Sequence, residues 1–409
     1  VAATVFGSLL GPVPARGAAV VSVPTARTPR VVPAGFEQTT VATVAAPTAI
    51  EVLPDGRMVV LEQGGRVRIT TRAGVLRSGP ALTIPSICSG GERGLLGFTH
   101  DPQFATNRLV YLYYTRQAPS SPGGCVNRVS RFRMVRNRID PTTERVLLDK
   151  ISAVGGNHNA GDLEFGKDGF LYVATGDAGT DPRGDSGGGG ENDAAVDRSL
   201  LNGKILRITR SGRPARDNPF LGTGTARCAR RGNTSTTPTT TCQEIFAFGL
   251  RNPFRFAFDP NANRTRFFIN DVGQSTFEEV NVGARGADYG WNDREGACPQ
   301  GQTPPCAGPP PGVTDPTVAY GRGEGTYITA GAFVPIGSWP SLYDGGYLFA
   351  DGGSGRMWLR TADGDLDLGA PFATELFSIA DMVFRIEDGE VVLYVTRSSG
   401  EIVRIRHTG

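Results

Sequence analysis

The chain predicts an all-β fold: a six-bladed β-propeller of four-stranded antiparallel blades, with long loops on the top face. Three observations carry that expectation. A strand–turn–strand unit recurs, its copies fit repeats of about 40–60 residues, and amphipathic helical periodicity is scarce. The clearest copy is Leu53-Pro54-Asp55-Gly56-Arg57-Met58-Val59-Val60-Leu61, followed by Gly64-Gly65-Arg66-Val67-Arg68-Ile69. A second runs Phe165-Gly166-Lys167-Asp168-Gly169-Phe170-Leu171-Tyr172-Val173 and resumes at Asn202-Gly203-Lys204-Ile205-Leu206-Arg207-Ile208. A third runs from Ile386 through Asp388-Gly389 to Gly400-Glu401-Ile402-Val403-Arg404-Ile405. Asp-Gly between apolar runs predicts tight hairpins with positive φ at both central positions. Weaker copies fill residues 95–134, 245–282 and 327–361. A β-sandwich would leave the recurring unit unexplained.

The 409 residues are read as a lead-in over 1–35 and one propeller domain over 36–409. Val1 to Leu10 is apolar, and Ala15-Arg16-Gly17-Ala18-Ala19 resembles the small-residue end of a signal peptide. Export to the periplasm or the extracellular space is therefore expected. Nothing later approaches the roughly 18 apolar residues of a membrane span. A net charge of +2 offers no footprint for nucleic acid. The six cysteines form no C-x-x-C pair, which argues against zinc or thioredoxin chemistry. Their even count in Gly/Pro/Thr-rich surroundings suggests disulfides, with free buried thiols as the alternative. Of the fifteen possible pairings, nearest neighbours are expected: Cys88 with Cys125, Cys228 with Cys242, Cys298 with Cys306. Three segments, from Asp177 to Asp197, Arg213 to Thr241 and Cys298 to Pro316, are expected to be long excursions over one face.

The chain has three histidines. His158 lies in Gly155-Gly156-Asn157-His158-Asn159-Ala160-Gly161, before a strand that turns and returns to Thr175-Gly176-Asp177. A histidine in a small-residue loop beside a returning carboxylate suits proton exchange near neutral pH. By itself such a histidine is more often a structural hydrogen-bonder. Asp177 could equally close an Asx turn, and Glu278-Glu279 could be a solvated pair on opposite strand faces. His100 and His407 are expected to be structural.

Four motifs together resemble the soluble quinoprotein sugar dehydrogenases, the glucose/sorbosone dehydrogenase family. They are Glu92-Arg93-Gly94-Leu95-Leu96-Gly97, the His158 segment, Gly249-Leu250-Arg251-Asn252-Pro253-Phe254, and Asp271-Val272-Gly273-Gln274 through Glu278-Glu279 to Tyr289-Gly290-Trp291. The resemblance covers roughly residues 40–406, with the motifs in the family's order and spacing. The resemblance implies a six-bladed propeller holding pyrroloquinoline quinone and Ca²⁺, which oxidises the C1 hydroxyl of an aldose to a lactone and passes electrons to an external acceptor. Carried over residue by residue, His158 matches the general base and Asp177 its partner. Arg251 matches a catalytic and cofactor contact. Asn252 and Glu92 fall at the cofactor. Gly273 and Gln274 match the carbonyl pair on the cofactor Ca²⁺, and Glu278, Glu279 and Tyr289 match ligands of further Ca²⁺ ions.

The sequence departs from the glucose-oxidising branch in three places. Asp351-Gly352-Gly353-Ser354-Gly355-Arg356 lacks its lysine, Ser378-Ile379-Ala380-Asp381 lacks two arginines, and Glu92 replaces a glutamine. This puts the chain nearer the broad aldose sugar dehydrogenase branch. It also motivates an alternative, a non-catalytic extracellular Ca²⁺-binding propeller that recognises a glycan or protein.

Overall fold

A computed structural model of the protein describes residues 32–186, 191–229 and 240–409. The expected signal-peptide remnant lies, up to residue 31, outside the described residues. The fold is an all-β, six-bladed propeller. The innermost strands are Pro47–Val52, Leu95–His100, Leu163–Phe165, Pro253–Phe258, Ile328–Phe333 and Ile379–Glu387, one per blade. Five of the six neighbouring pairs of innermost strands pack against one another, and the third and fourth blades meet through Leu171–Thr175 and Pro253–Phe258. Five sheets have four strands. The fifth blade has three, extended by an isolated bridge from Met357 to Ala373.

The second strand of each blade explains the continuous apolar runs. Met58–Glu62, Leu171–Thr175, Phe267–Asp271 and Tyr347–Asp351 are buried at every position. Blades stack face to face, so a middle strand has no solvent side and loses the alternation of a half-exposed strand. Between blades lie clusters such as Phe256, Phe267 and Tyr172, or Phe349, Tyr347 and Trp358.

The Asp-Gly turns are of two kinds. At Asp388-Gly389 both residues have positive φ, 48° and 91°, and Glu387 pairs directly with Glu390. At Asp55-Gly56 and Asp168-Gly169 only the glycine does, at 84° and 79°. There the loop is longer: Gly56 N–H bonds the Leu53 carbonyl and Leu53 N–H bonds the Arg57 carbonyl. A longer loop turns through an ordinary first position and needs only one left-handed residue.

The ring closes through its ends. Phe36–Thr43 forms the outer edge of the sixth blade by pairing antiparallel with Glu401–His407. Phe36 seats this strand among Trp339, Tyr343 and Phe372, with His407 at 5.1 Å. His407 is therefore structural, as expected. The disulfides are Cys88–Cys125, Cys228–Cys242 and Cys298–Cys306, the expected nearest-neighbour set. Of the expected excursions, the one after Asp177 adjoins the His158 loop, where the Gly155 N–H bonds the Ala178 carbonyl and Asn192 Nδ2 bonds the Asp177 carbonyl. The described part of the middle one packs instead on Asp149 and Arg198.

Candidate active site

The loops that precede the innermost strands of the second, third and fourth blades meet on one face of the ring. Glu92, His158 and Arg251-Asn252 lie in these loops. Asn252 joins them: its Nδ2 donates to Glu92 Oε2 at 3.0 Å, and its Oδ1 accepts from Ala160 N–H at 3.2 Å. Glu92 Oε2 also accepts from Asn159 N–H at 3.4 Å.

His158 is buried, with 8% of its surface exposed, and its Nδ1 lies 2.7 Å from Asp177 Oδ1. Asp177 accepts two further bonds, from Gly179 N–H at 2.7 Å and Trp291 Nε1–H at 2.9 Å. A carboxylate surrounded by donors fixes the tautomer, with the proton on Nδ1. Nε2 is then the ring nitrogen that can accept. The loop is held in an uncommon conformation, with positive φ at His158 (50°) and Ala160 (48°). Gly176 makes this possible, because a β-carbon there would lie 2.0 Å from the His158 carbonyl oxygen.

Arg251 is anchored at both ends. Its backbone N–H bonds Asp271 Oδ2 at 3.0 Å, and its Nη1 donates to the carbonyls of Val272 and Gly273 at 3.0 and 2.9 Å. The guanidinium sits 5.4 Å from the Trp291 ring centroid. Trp291 therefore touches both Asp177 and Arg251. It closes one of the recognised motifs, but the sequence gives it no role, since the contact to Asp177 spans 114 residues. Burial pushes Asp271 well above the usual carboxylate range, and the nearby Glu279 adds to the rise.

The expected metal residues divide. The Gly273 carbonyl already meets Arg251, while Gln274 is exposed and its N–H bonds Glu295. Glu278 turns toward Arg322 and the Ile328 N–H, and burial pushes its carboxyl up to about 8. Glu279 faces the other way, onto Gly296 N–H at 2.5 Å and Asn281 Nδ2 at 3.0 Å. The Tyr289 hydroxyl is satisfied by two backbone groups, donating to Val282 O and accepting from Ala284 N–H. Glu295 was missed from sequence. Burial pushes it up, but the N–H groups of residues 274–277 outweigh that and hold it below the usual range. Its Oε2 and the Oδ1 of Asn281 are both buried without a hydrogen-bond partner. Among the described residues, three carboxylates converge within 4.8 Å at Asp181, Asp185 and Asp193, outside the expected set.

The chain belongs to the glucose/sorbosone dehydrogenase family, whose model covers residues 44–344. It is 29% identical over 247 residues to aldose sugar dehydrogenase YliI of Escherichia coli (strain K12), a match covering 60% of this chain and 58% of that one. The chain thus spans little more than half the length of that curated relative. A glucose dehydrogenase-type oxidoreductase of Thermus thermophilus is 28% identical, with a TM-score of 0.69 over 91% of this chain and 100% of that one. The PQQ-bound aldose sugar dehydrogenase of Streptomyces coelicolor, 24% identical, shares the fold with a TM-score of 0.66 over 92% of this chain and 99% of that one.

Proposed function

We propose that the protein is an exported dehydrogenase that oxidises the C1 hydroxyl of an aldose, or a related hemiacetal, to a lactone with pyrroloquinoline quinone as cofactor. The observation that carries this is the 2.7 Å contact that commits His158 Nδ1 to Asp177 and leaves Nε2 to accept a proton. Nε2 takes the proton of the C1 hydroxyl. Asp177 stabilises the imidazolium so formed, and the Trp291 and Gly179 donors keep that carboxylate in place. When bound, the quinone supplies the hydride acceptor. Arg251 and Asn252 would hold its oxygens. The buried Arg251 Nε and Asn159 Nδ2, both lacking a partner, are donors suited to an oxygen-rich ligand. The carboxylate of Glu92 is engaged by Asn252 and the Asn159 N–H, which offsets its charge near such a ligand.

Glu295 Oε2 and Asn281 Oδ1 are buried acceptors without donors, oxygen groups of the kind that would hold Ca²⁺. The three disulfides fit an oxidising compartment and so support export. The test is reconstitution with pyrroloquinoline quinone and Ca²⁺, followed by dye reduction across an aldose panel. His158→Ala should abolish turnover and keep the quinone absorbance through gel filtration. No cofactor-dependent reduction and no retained quinone would overturn the reading.

A second reading has its own observation. The arginines that could replace the missing basic residues are engaged by the protein. Arg322 meets Glu278 and Glu295, Arg356 the Glu324 carbonyl, and Arg397 the Phe377 carbonyl and Glu401. This favours a calcium-binding propeller that recognises a glycan or protein. It predicts thermal stabilisation by Ca²⁺ with no shift on adding quinone.

A further inference from the structure

The end of the channel opposite His158 holds a cavity of about 570 Å³, a size suited to a small organic molecule. All six innermost strands contribute to its wall. Glu51, His100, Glu164, Phe258, Phe333 and Phe384 come from the first to the sixth blade in turn. The wall is aromatic, and the rim carries Ile386, which is 72% exposed. Further in, the cavity is acidic: Glu51, Glu164 and Asp381 line it, and Asp162 lies close enough to interact with all three.

Among the described residues, only Asp162 and Asp381 of these four carboxylates interact with a guanidinium, that of Arg255. Arg255 Nε lies 3.6 Å from Asp381 Oδ1, and its other nitrogens are committed to the carbonyls of Phe254, Thr48 and Leu96. Arg385, which does line the cavity, is held by Glu387 and the Arg72 carbonyl. His100 Nδ1 is buried without a hydrogen-bond partner, 3.8 Å from Glu51 Oε1. Burial lowers the His100 pKa, so the ring does not supply the missing positive charge. Burial and mutual repulsion push Glu51 up to about 8, and burial pushes Asp381 up to about 7. A metal ion is a poor match, because these carboxylates do not converge as Asp181, Asp185 and Asp193 do. A deficit of positive charge below aromatic walls matches a cation that carries its own apolar surface.

We propose that this lower mouth binds an organic ammonium ion, an amine whose charged end meets Glu51, Glu164 and Asp381 and whose apolar part lies among Phe258, Phe333 and Phe384. Binding ionises carboxyls that are otherwise partly protonated, so protons are released.

Calorimetry on the full chain at neutral pH tests this, with phenethylamine as probe and 2-phenylethanol as its neutral counterpart. The amine should bind at least about tenfold more tightly than the alcohol, with a heat that depends on buffer ionisation. Glu164→Gln should weaken the amine about tenfold and leave the alcohol unchanged. Ile386→Arg alters an exposed side chain, so folding is not at issue, and it should weaken the amine by repulsion. His158→Ala, at the other end of the channel, should leave amine binding intact. Equal binding of amine and alcohol, no saturable heat, unchanged amine affinity in both Glu164→Gln and Ile386→Arg, or loss in His158→Ala would each overturn the proposal.

Discussion

Replacing Asp177 by Asn tests the proposed base most directly. The change preserves shape and removes one acceptor. Asp177 now serves three donors: His158 Nδ1 at 2.7 Å, Gly179 N–H at 2.7 Å and Trp291 Nε1 at 2.9 Å. An amide has one oxygen, so at least one donor loses its partner or faces an NH₂ group. If the NH₂ faces His158, Nδ1 must accept, and the ring proton moves to Nε2, where a base cannot carry it. A positioned general base contributes about 10²–10⁴ in rate, so dye-coupled aldose oxidation should fall by roughly that factor in kcat. The side chain is almost wholly buried, and hydrogen bonds to a charged group are worth about 1.5–3 kcal/mol, so urea unfolding should show a loss in that range. Quinone absorbance after gel filtration should match the parent. Activity within about threefold of the parent, or a loss accounted for entirely by failure to retain quinone, would refute the reasoning.

Other expectations follow from the same geometry. Trp291→Phe keeps a ring over Arg251 but removes the N–H to Asp177, and kcat should fall about tenfold with quinone retained, one hydrogen bond's worth. Gly176→Ala places a β-carbon where the His158 carbonyl sits. It should cost about 10² in kcat while circular dichroism reports an intact sheet. Glu51 has a folded pKa raised from 4.5 to about 8, so its contribution to stability is fully present below about pH 4.5 and is lost as pH rises through about 8. Glu51→Gln should therefore flatten the pH dependence of urea unfolding and gain on the order of 1–3 kcal/mol at pH 8 relative to pH 5. A parallel downward slope in both proteins would remove Glu51 as the cause.

Much of the fold was legible because its signals are local. Hairpin chemistry at Asp55-Gly56, Asp168-Gly169 and Asp388-Gly389 marked blade edges within ten residues of sequence. Continuous runs such as Val110-Tyr111-Leu112-Tyr113-Tyr114 marked strands buried on both faces. The site was legible only in pieces. His158 and Asp177 stand out because the same hairpin carries both, and Glu92, Arg251 and Asn252 through the family resemblance. Trp291, Glu295 and the axial carboxylates were not, because each acts on residues in other blades or strands far along the chain. Glu51 and Asp381, 330 positions apart in the chain, become neighbours only when the first and sixth blades meet.

The sequence alone therefore determined the repeating sheet unit; it offered nearest-neighbour cystines as one of fifteen pairings and set His158 and Asp177 at the two ends of one hairpin. Those depend on contacts between chain neighbours or on small residues at defined turns. Only the closed ring decided the rest. Pairing Phe36–Thr43 with Glu401–His407 completes the sixth blade and sets six loop clusters around one axis. Packing of the third blade against the fourth puts Trp291 on Asp177, the fourth blade's own loops commit the Gly273 carbonyl to Arg251, and closure leaves an acidic, aromatic mouth lined by all six innermost strands. Packing six twisted sheets face to face creates these neighbours, and no stretch of chain encodes them locally.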